Sequence, residues 1–287
     1  MNKIGITAKH TNVERFTPVL KRLYEYLKKA EKDVYIEKHV ADLIGLKKYK
    51  EFYRGQTDVD LLLVLGGDGT ILSVVRTMRK FNTKIFGINI GNLGFLSEIP
   101  PVQIHKTLSK IFKGEYTIDS RLMLSIELVR NKKVIKKFHA LNEAVISQGT
   151  LARLINLKTE VNGKKLTTYF ADGLIIATPT GSTAYSLSAG GPIVHPSLKT
   201  FIITPICPHS FTQKPIIIPD DKKIEVTVEN RKHQIHLTID GQESASLEDG
   251  DIVRIVRDGE AHFVRLPTES FFKTLREKLD WGRKLEK

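Results

Sequence analysis

Three glycines and an aspartate stand together in Leu65-Gly66-Gly67-Asp68-Gly69-Thr70-Ile71-Leu72, between a continuous apolar run and the start of a helical pattern. Glycines let backbone N–H groups approach phosphate oxygens, and a helix N-terminus adds positive potential. A tight strand-to-helix turn would account for one or two glycines but not for the acid among them. A carboxylate repels phosphate, so a plain phosphate cradle avoids one. At a helix start, where the dipole favours negative charge, Asp68 is suited to take a proton from an attacking hydroxyl or to hold a magnesium ion. The loop is not a Walker A motif, because Gly-x4-Gly-Lys-Ser/Thr is absent.

Two further segments carry polar groups in unusual density. In Asp172-Gly173-Leu174-Ile175-Ile176-Ala177-Thr178-Pro179-Thr180-Gly181-Ser182-Thr183-Ala184-Tyr185, a strand passes through a Pro/Gly turn into a helix start crowded with hydroxyls. Capping explains Ser182 or Thr183 but not the whole cluster. Small residues followed by Tyr185 suit a flat ring, with backbone groups on its polar edge and the phenol on its face. In Leu141-Asn142-Glu143-Ala144-Val145, an Asn–Glu pair interrupts a strand-like run. Such a pair can grip the vicinal hydroxyls of a ribose, or simply end a strand.

The elements that must position these groups fall into two kinds. Residues 1–115 alternate strands and helices. A strand at Ile4–Thr7 precedes a helix face through Phe16, Val19, Leu20, Leu23, Tyr24 and Leu27. Strands follow at Asp33–Glu37, Asp60–Leu65 and Lys84–Ile88, with a helix at about Thr70–Lys80. The unbroken apolar run at 61–65 is that of a strand covered on both faces, so this series predicts a Rossmann-like open parallel sheet with helices. Pro100-Pro101 opens a further helix that Gly114 ends. Residues 116–266 read as short alternating strands of an antiparallel β-sandwich, among them Leu122–Arg130, Ile224–Val228, Ile235–Ile239, Ile252–Val256 and His262–Leu266. Asn131-Lys132, Asn162-Gly163 and Asp258-Gly259 have the chemistry of hairpin turns. A helix begins near Gly181 and stops at Gly190-Gly191-Pro192. Residues 267–287 form a closing amphipathic helix, Phe271–Trp281, that returns to the first domain.

Composition narrows the class. Lys and Arg total 45 against 32 Asp and Glu, a formal charge of +13, which attracts polyanions. The basic residues lie in short groups such as Lys47-Lys48, Lys132-Lys133 and Lys136-Lys137, and no basic stripe interleaved with aromatics is visible. A nucleic-acid-binding protein is therefore disfavoured. The single cysteine, Cys207, excludes an internal disulfide and reads as a small buried residue. The histidines are scattered, so no protein-borne metal site is expected. With no apolar leader and no run near the roughly 20 residues of a membrane span, the sequence reads as cytoplasmic.

Taken together, Gly66-Gly67-Asp68-Gly69-Thr70, Asn142-Glu143 and Thr178-Pro179-Thr180-Gly181-Ser182-Thr183-Ala184-Tyr185 resemble, in that order, the motifs of the NAD kinase family. The resemblance extends through residues 89–96, 186–192, Pro205-Ile206-Cys207-Pro208-His209 and Asp240-Gly241-Gln242. It implies phosphoryl transfer from ATP, carried with Mg²⁺, or from polyphosphate, to the 2′-hydroxyl of the adenosine ribose of NAD. By the same resemblance Asp68 is the general base and Gly69 lies against bound nucleotide. Asn142 and Glu143 hold the substrate, and Asp172 its nicotinamide end. Thr183, Ala184, Tyr185, Ser186, Leu187 and Ser188 take the adenosine portion, while Arg153 and Gln242 line the site. A homodimer or homotetramer is implied too. The glycine loop alone is shared with lipid kinases of the diacylglycerol or sphingosine type, which is the alternative reading. Such an enzyme needs a greasy slot for an acyl chain, where this chain offers Thr, Ser, Asn and Glu.

Overall fold

In the computed structural model, residues 1–11, 16–78, 82–90, 94–97, 99–149, 154–229, 234–267 and 270–280 are described. Two compact units divide them: residues 1–120 with 261–287, and residues 121–260. The chain changes unit within two long strands, Thr117–Arg130 and Ile252–Arg265.

In the first unit, β1 (Lys3–Ala8), α1 (Thr17–Lys29), β2 (Asp33–Ile36), α2 (Lys38–Ile44), β3 (Lys50–Glu51), β4 (Leu61–Gly66), α3 (Asp68–Met78), β5 (Lys84–Asn89) and α4 (Ile104–Phe112) succeed one another. The strands pair in parallel in the order β5-β4-β1-β2-β3. Alternate residues of β1 and β4 (Ile4, Ile6, Leu61, Leu63, Leu65) share a core with Leu20, Leu23 and Leu27 of α1 and with α2 and α4. Each residue of β4 is buried, as its apolar run requires. Helix α2 had no expected counterpart. Its seven residues bury Val40, Ala41 and Ile44 in the core with Leu43 packed against it, and Gly45 closes it with a left-handed backbone (φ 77°).

The second unit opens on β6 (Thr117–Arg130), continues with β7 (Lys133–Ala140), β8 (Glu143–Gln148), β9 (Ile155–Val161), β10 (Lys164–Ala171), β11 (Gly173–Ala177) and α5 (Tyr185–Ser188), and then β12 (Thr200–Ile206), β13 (Ile216–Pro219), β14 (Ile224–Glu229), β15 (Ile235–Ile239) and β16 (Glu243–Leu247), and ends in β17 (Ile252–Arg265). A six-stranded antiparallel sheet has the order β13-β12-β11-β8-β15-β16. Strands β9, β10, β14, β6, β7 and β17 supply the second layer, and residues of both layers share one apolar core. That is the sandwich the alternating pattern predicts. Asn131-Lys132 and Asn162-Gly163 are two-residue turns with positive φ at both positions.

Three expectations are corrected. Asp258-Gly259 is not a hairpin turn, because it lies inside the continuous 14-residue strand β17. Gly259 takes φ 82° within the strand, and the Asp258 carboxylate is engaged by the His139 ring. The helix expected at Gly181 is instead a 3₁₀ turn over Gly181–Thr183 and the single turn α5, broken at Ala184 (φ −101°, ψ −132°). Cys207 is exposed rather than buried, in a left-handed turn (φ 43°) just past β12. After β17, α6 (Phe271–Leu279) groups with the first unit, and Ser270 caps it by accepting from the Lys273 amide at 3.2 Å. Trp281 lies outside the described residues. Among those residues no helix is long and apolar enough to cross a membrane.

Candidate active site

The glycine loop closes β4 and opens α3 at the carboxyl edge of the parallel sheet, where open α/β sheets bind ligands. Asp68 is the first residue of α3, yet its carboxylate does not point freely into solution. Oδ2 accepts from the Phe95 amide at 2.8 Å and Oδ1 from the Leu96 amide at 3.1 Å. Two charge-assisted bonds thus hold the acid in one orientation and leave lone pairs on both oxygens. Gly94 makes this approach possible, since a Cβ there would collide with the Asp68 carboxylate. Behind the loop, the Arg265 guanidinium reaches the Phe95 carbonyl at 3.4 Å and the Asp119 carboxylate at 3.0 Å. Gly94→Ala is expected to keep the fold and to displace the Asp68 carboxylate, at a cost of at least tenfold in turnover if that group acts in the reaction. Steady-state rates beside a thermal melt check this.

In the second unit a different cluster gathers around Asp240, which sequence reasoning noted only within a motif. Asp240 and Gly241, with φ of 48° and 64°, are the first two residues of the three-residue connection 240–242 between β15 and β16. The Asp240 carboxylate accepts from the amides of Leu141 (3.1 Å), Asn142 (2.9 Å) and Glu143 (3.1 Å). The signal was an Asp-Gly between alternating strands, but its partner lies about a hundred residues earlier. The Glu143 carboxyl is buried at 5% exposure, and its Oε2 has no partner among the described residues. Burial first, and the Asp240 charge second, push its pKa up to about 8.

The hydroxyl-rich segment lies against the same turn. The Thr178 amide donates to the Asn142 carbonyl at 2.8 Å, and its hydroxyl to the Leu141 carbonyl at 2.6 Å. Gly181 passes so close to Asn142 that a side chain would strike its carbonyl. Much of the hydroxyl cluster is structural. Ser182 bonds the Pro179 carbonyl and the Val194 amide, Ser186 bonds Thr204 at 2.9 Å, and Thr183 reaches the Thr180 carbonyl at 3.3 Å. Tyr185 and Ser188 are exposed, Ala184 and Leu187 half-buried. Asp172 accepts from Gln148 Nε2 at 3.0 Å. Gln242 is exposed at the Asp240 turn. Asn142, Glu143, Thr183 and Gln242 are thus tied to one turn-and-loop cluster, whereas Asp68 and Gly69 belong to the other unit. Arg153 and residues 91–93 lie outside the described residues.

Comparison with known proteins bears on both clusters. Residues 4–116 match the family model of the ATP-NAD kinase N-terminal domain, and residues 141–266 that of the ATP-NAD kinase C-terminal domain. The chain is 41% identical over 285 residues to the NAD kinase of Geotalea daltonii, covering 99% of this chain and all of that protein. It is 40% identical to that of Thermoanaerobacter sp. over 284 residues, 97% of this chain and 99% of that one. Among solved structures it is similar to yeast NADH kinase complexed with NADH, with a TM-score of 0.87, 26% identity, and coverage of 100% of this chain and 90% of that chain. It is also similar to an NAD kinase from Archaeoglobus fulgidus in complex with ATP, at a TM-score of 0.74 and 29% identity over 97% and 98% of the two chains. None of these findings supports a lipid kinase. On the strength of two matched domains and near-full-length relatives, the chain belongs to the NAD kinase family.

Proposed function

We propose that the chain transfers the terminal phosphoryl group of ATP to the 2′-hydroxyl of the adenosine ribose of NAD, giving NADP and ADP. The observation that carries this reading is a fixed carboxylate in the glycine loop of a chain that aligns end to end with NAD kinases. That one solved relative is complexed with NADH and another with ATP supports the two substrates. The ribose oxygen forms a bond to the γ-phosphorus while the bond to the β–γ bridging oxygen breaks and its electron pair leaves with ADP. The hydroxyl proton passes to the Asp68 carboxylate.

Around that step the other residues bind and orient. Gly69 lets the loop backbone come against the nucleotide. Asn142 and Glu143 take the ribose hydroxyls. With its pKa near 8, Glu143 is protonated at neutral pH and can donate as well as accept. Asp172 meets the nicotinamide end and residues 183–188 the adenosine, with Gln242 and Arg153 lining the same site. Because Ser186 is bonded to Thr204, its part is played by the backbone.

Magnesium prefers oxygen ligands and is commonly held through one or two carboxylates plus substrate phosphates. Asp68 keeps lone pairs beyond its two amide bonds, which fits an ion carried in with ATP. Such an ion neutralises charge on the phosphate oxygens. A cytoplasmic setting and a homodimer or homotetramer belong to the same reading. Supporting them are the unpaired Cys207 and the exposed Ile216 and Ile217 of edge strand β13, a surface that copies can cover. Incubation with magnesium, ATP and either NAD or dispersed diacylglycerol is expected to give NADP and no phosphorylated lipid. The reverse result replaces this reading by a lipid kinase.

A further inference from the structure

Beside the glycine loop lies a pocket of about 300 Å³, at the small end of ligand sites. Lys9 and His10, which follow β1, form one side of it, and Gly67, Gly69, Thr70 and Ser73, which follow β4, the other. Between these strands the order turns, with β2 on one side and β5 on the other, so the pocket sits at the switch point of the sheet. The remaining wall is Arg54, whose guanidinium is fixed on several sides. Its Nε lies 3.0 Å from Glu37 Oε1, and one terminal nitrogen donates to Glu37 Oε2 at 3.1 Å and to Thr7 Oγ1 at 2.9 Å. The other terminal nitrogen donates to Ser73 Oγ at 3.3 Å.

The lining has a single chemical character. The groups it offers are the cations of Lys9 and Arg54, the His10 ring, hydroxyls and backbone amides, and no carboxylate is among the described lining residues. A phosphate chain asks for donors and positive charge, both of which this lining supplies, and a carboxylate in the lining would repel it. The volume suits such a chain better than a whole nucleotide.

The neighbouring His10, Glu37 and His39 come close enough to suggest a metal site, but their geometry speaks against one. The His10 and His39 rings are stacked, with centroids 4.1 Å apart and planes 28° apart, so their in-plane lone pairs run side by side instead of converging. Glu37 is already committed to Arg54 and accepts from the Thr7 hydroxyl. A metal there would face the guanidinium across a shared carboxylate. The group is therefore a brace: Glu37 and Thr7 hold Arg54, while His39, bonded to the Ala8 carbonyl at 3.2 Å, supports the stacked His10.

We propose that Lys9, His10 and Arg54 form the wall that binds the phosphate chain of the phosphoryl donor, with Glu37 as the residue that positions Arg54. This rests on the kinase reading above and adds the donor-recognition residues to it. Lys9 is exposed, so Lys9→Ala leaves the core untouched, and Arg54→Lys keeps the charge opposite Glu37 while losing the planar fork. Each is expected to raise KM for ATP about tenfold, the effect of one charge-assisted contact, with KM for NAD within twofold of the parent chain. Lys29→Ala, at the exposed end of α1, should change neither.

Calorimetric titration with inorganic tripolyphosphate, which needs no turnover, should show binding to the parent chain that weakens about tenfold in both variants. ATP and polyphosphate arms of the rate assay then separate a donor bound by its phosphates alone from one that also needs its nucleoside. An unchanged KM for ATP, an increase confined to KM for NAD, or tripolyphosphate binding that ignores both substitutions overturns the assignment. A parent chain that binds tripolyphosphate at this wall but makes no NADP would instead overturn the kinase reading and leave the wall standing.

Discussion

Asp68→Asn is expected to lower the rate of NADP formation by about 10³-fold, the middle of the range for losing a general base, while NAD still binds. The amide is nearly the shape of the carboxylate but cannot take a proton from the ribose hydroxyl. The structure adds a second consequence. Both Asp68 oxygens accept backbone amides, from Phe95 at 2.8 Å and Leu96 at 3.1 Å. In the asparagine variant one oxygen is replaced by NH₂, so a donor must face a donor. One of these bonds is lost at a cost of about 1–3 kcal/mol. The variant therefore melts somewhat below the parent, and its defect must be measured at a temperature where both are folded. Rates over a pH series and NAD binding by calorimetry are the measurements. Near-normal turnover in a folded variant removes Asp68 from the role of base.

Glu143→Gln is expected to remove part of the pH dependence of stability. The Glu143 carboxyl is raised from 4.5 to about 8, by burial first and by Asp240 second. A raised folded pKa means that the native state holds this proton more tightly than the unfolded chain does. The stabilisation is present in full below about pH 4.5, shrinks as pH rises, and is gone once the folded pKa near 8 is passed. Each tenfold difference in proton affinity between the folded and unfolded chain is worth about 1.4 kcal/mol, so the parent chain gives up a few kcal/mol across that window. Glutamine has nearly the same shape and no charge to bury, so the variant escapes this loss. Its melting temperature should approach or exceed that of the parent at pH 9 and lose any advantage at pH 5. A parallel pair of pH–melting curves would refute the burial of an ionisable Glu143. If Glu143 binds the ribose as proposed, the same variant should also raise KM for NAD, because the amide places its donor and acceptor differently from the acid.

What the sequence disclosed depended on range. The buried strand β4, its turn into α3, the parallel series and the hairpins at Asn131 and Asn162 are local patterns of apolar spacing and turn chemistry, and the structure reproduces them. Asp258-Gly259 misleads because turn residues carry the same signal whether or not the chain reverses. Here the strand runs on, with Asp258 taken by His139 from β7. At the site, the types Asp68, Asn142 and Glu143 were legible, but what holds them was not. Phe95 and Leu96 lie 27 and 28 residues from Asp68, and Asp240 lies 97 to 99 residues from the amides it takes. Glu37 and Thr7, 17 and 47 residues from Arg54, come to it only through the order of the sheet. No window of spacing or propensity contains such pairs. The hydroxyl-rich segment hides its internal partners in the same way: Ser182 bonds the Val194 amide and Ser186 bonds Thr204, 12 and 18 residues away.

The most direct test of the account is the site of phosphorylation. Purified protein is incubated with NAD, ATP and magnesium, and the product is followed by phosphorus NMR against ADP release. The account predicts one new phosphomonoester, on the 2′-oxygen of the adenosine ribose, formed in equal amount with ADP. ADP released without NADP, or phosphate carried by any other hydroxyl, would contradict it.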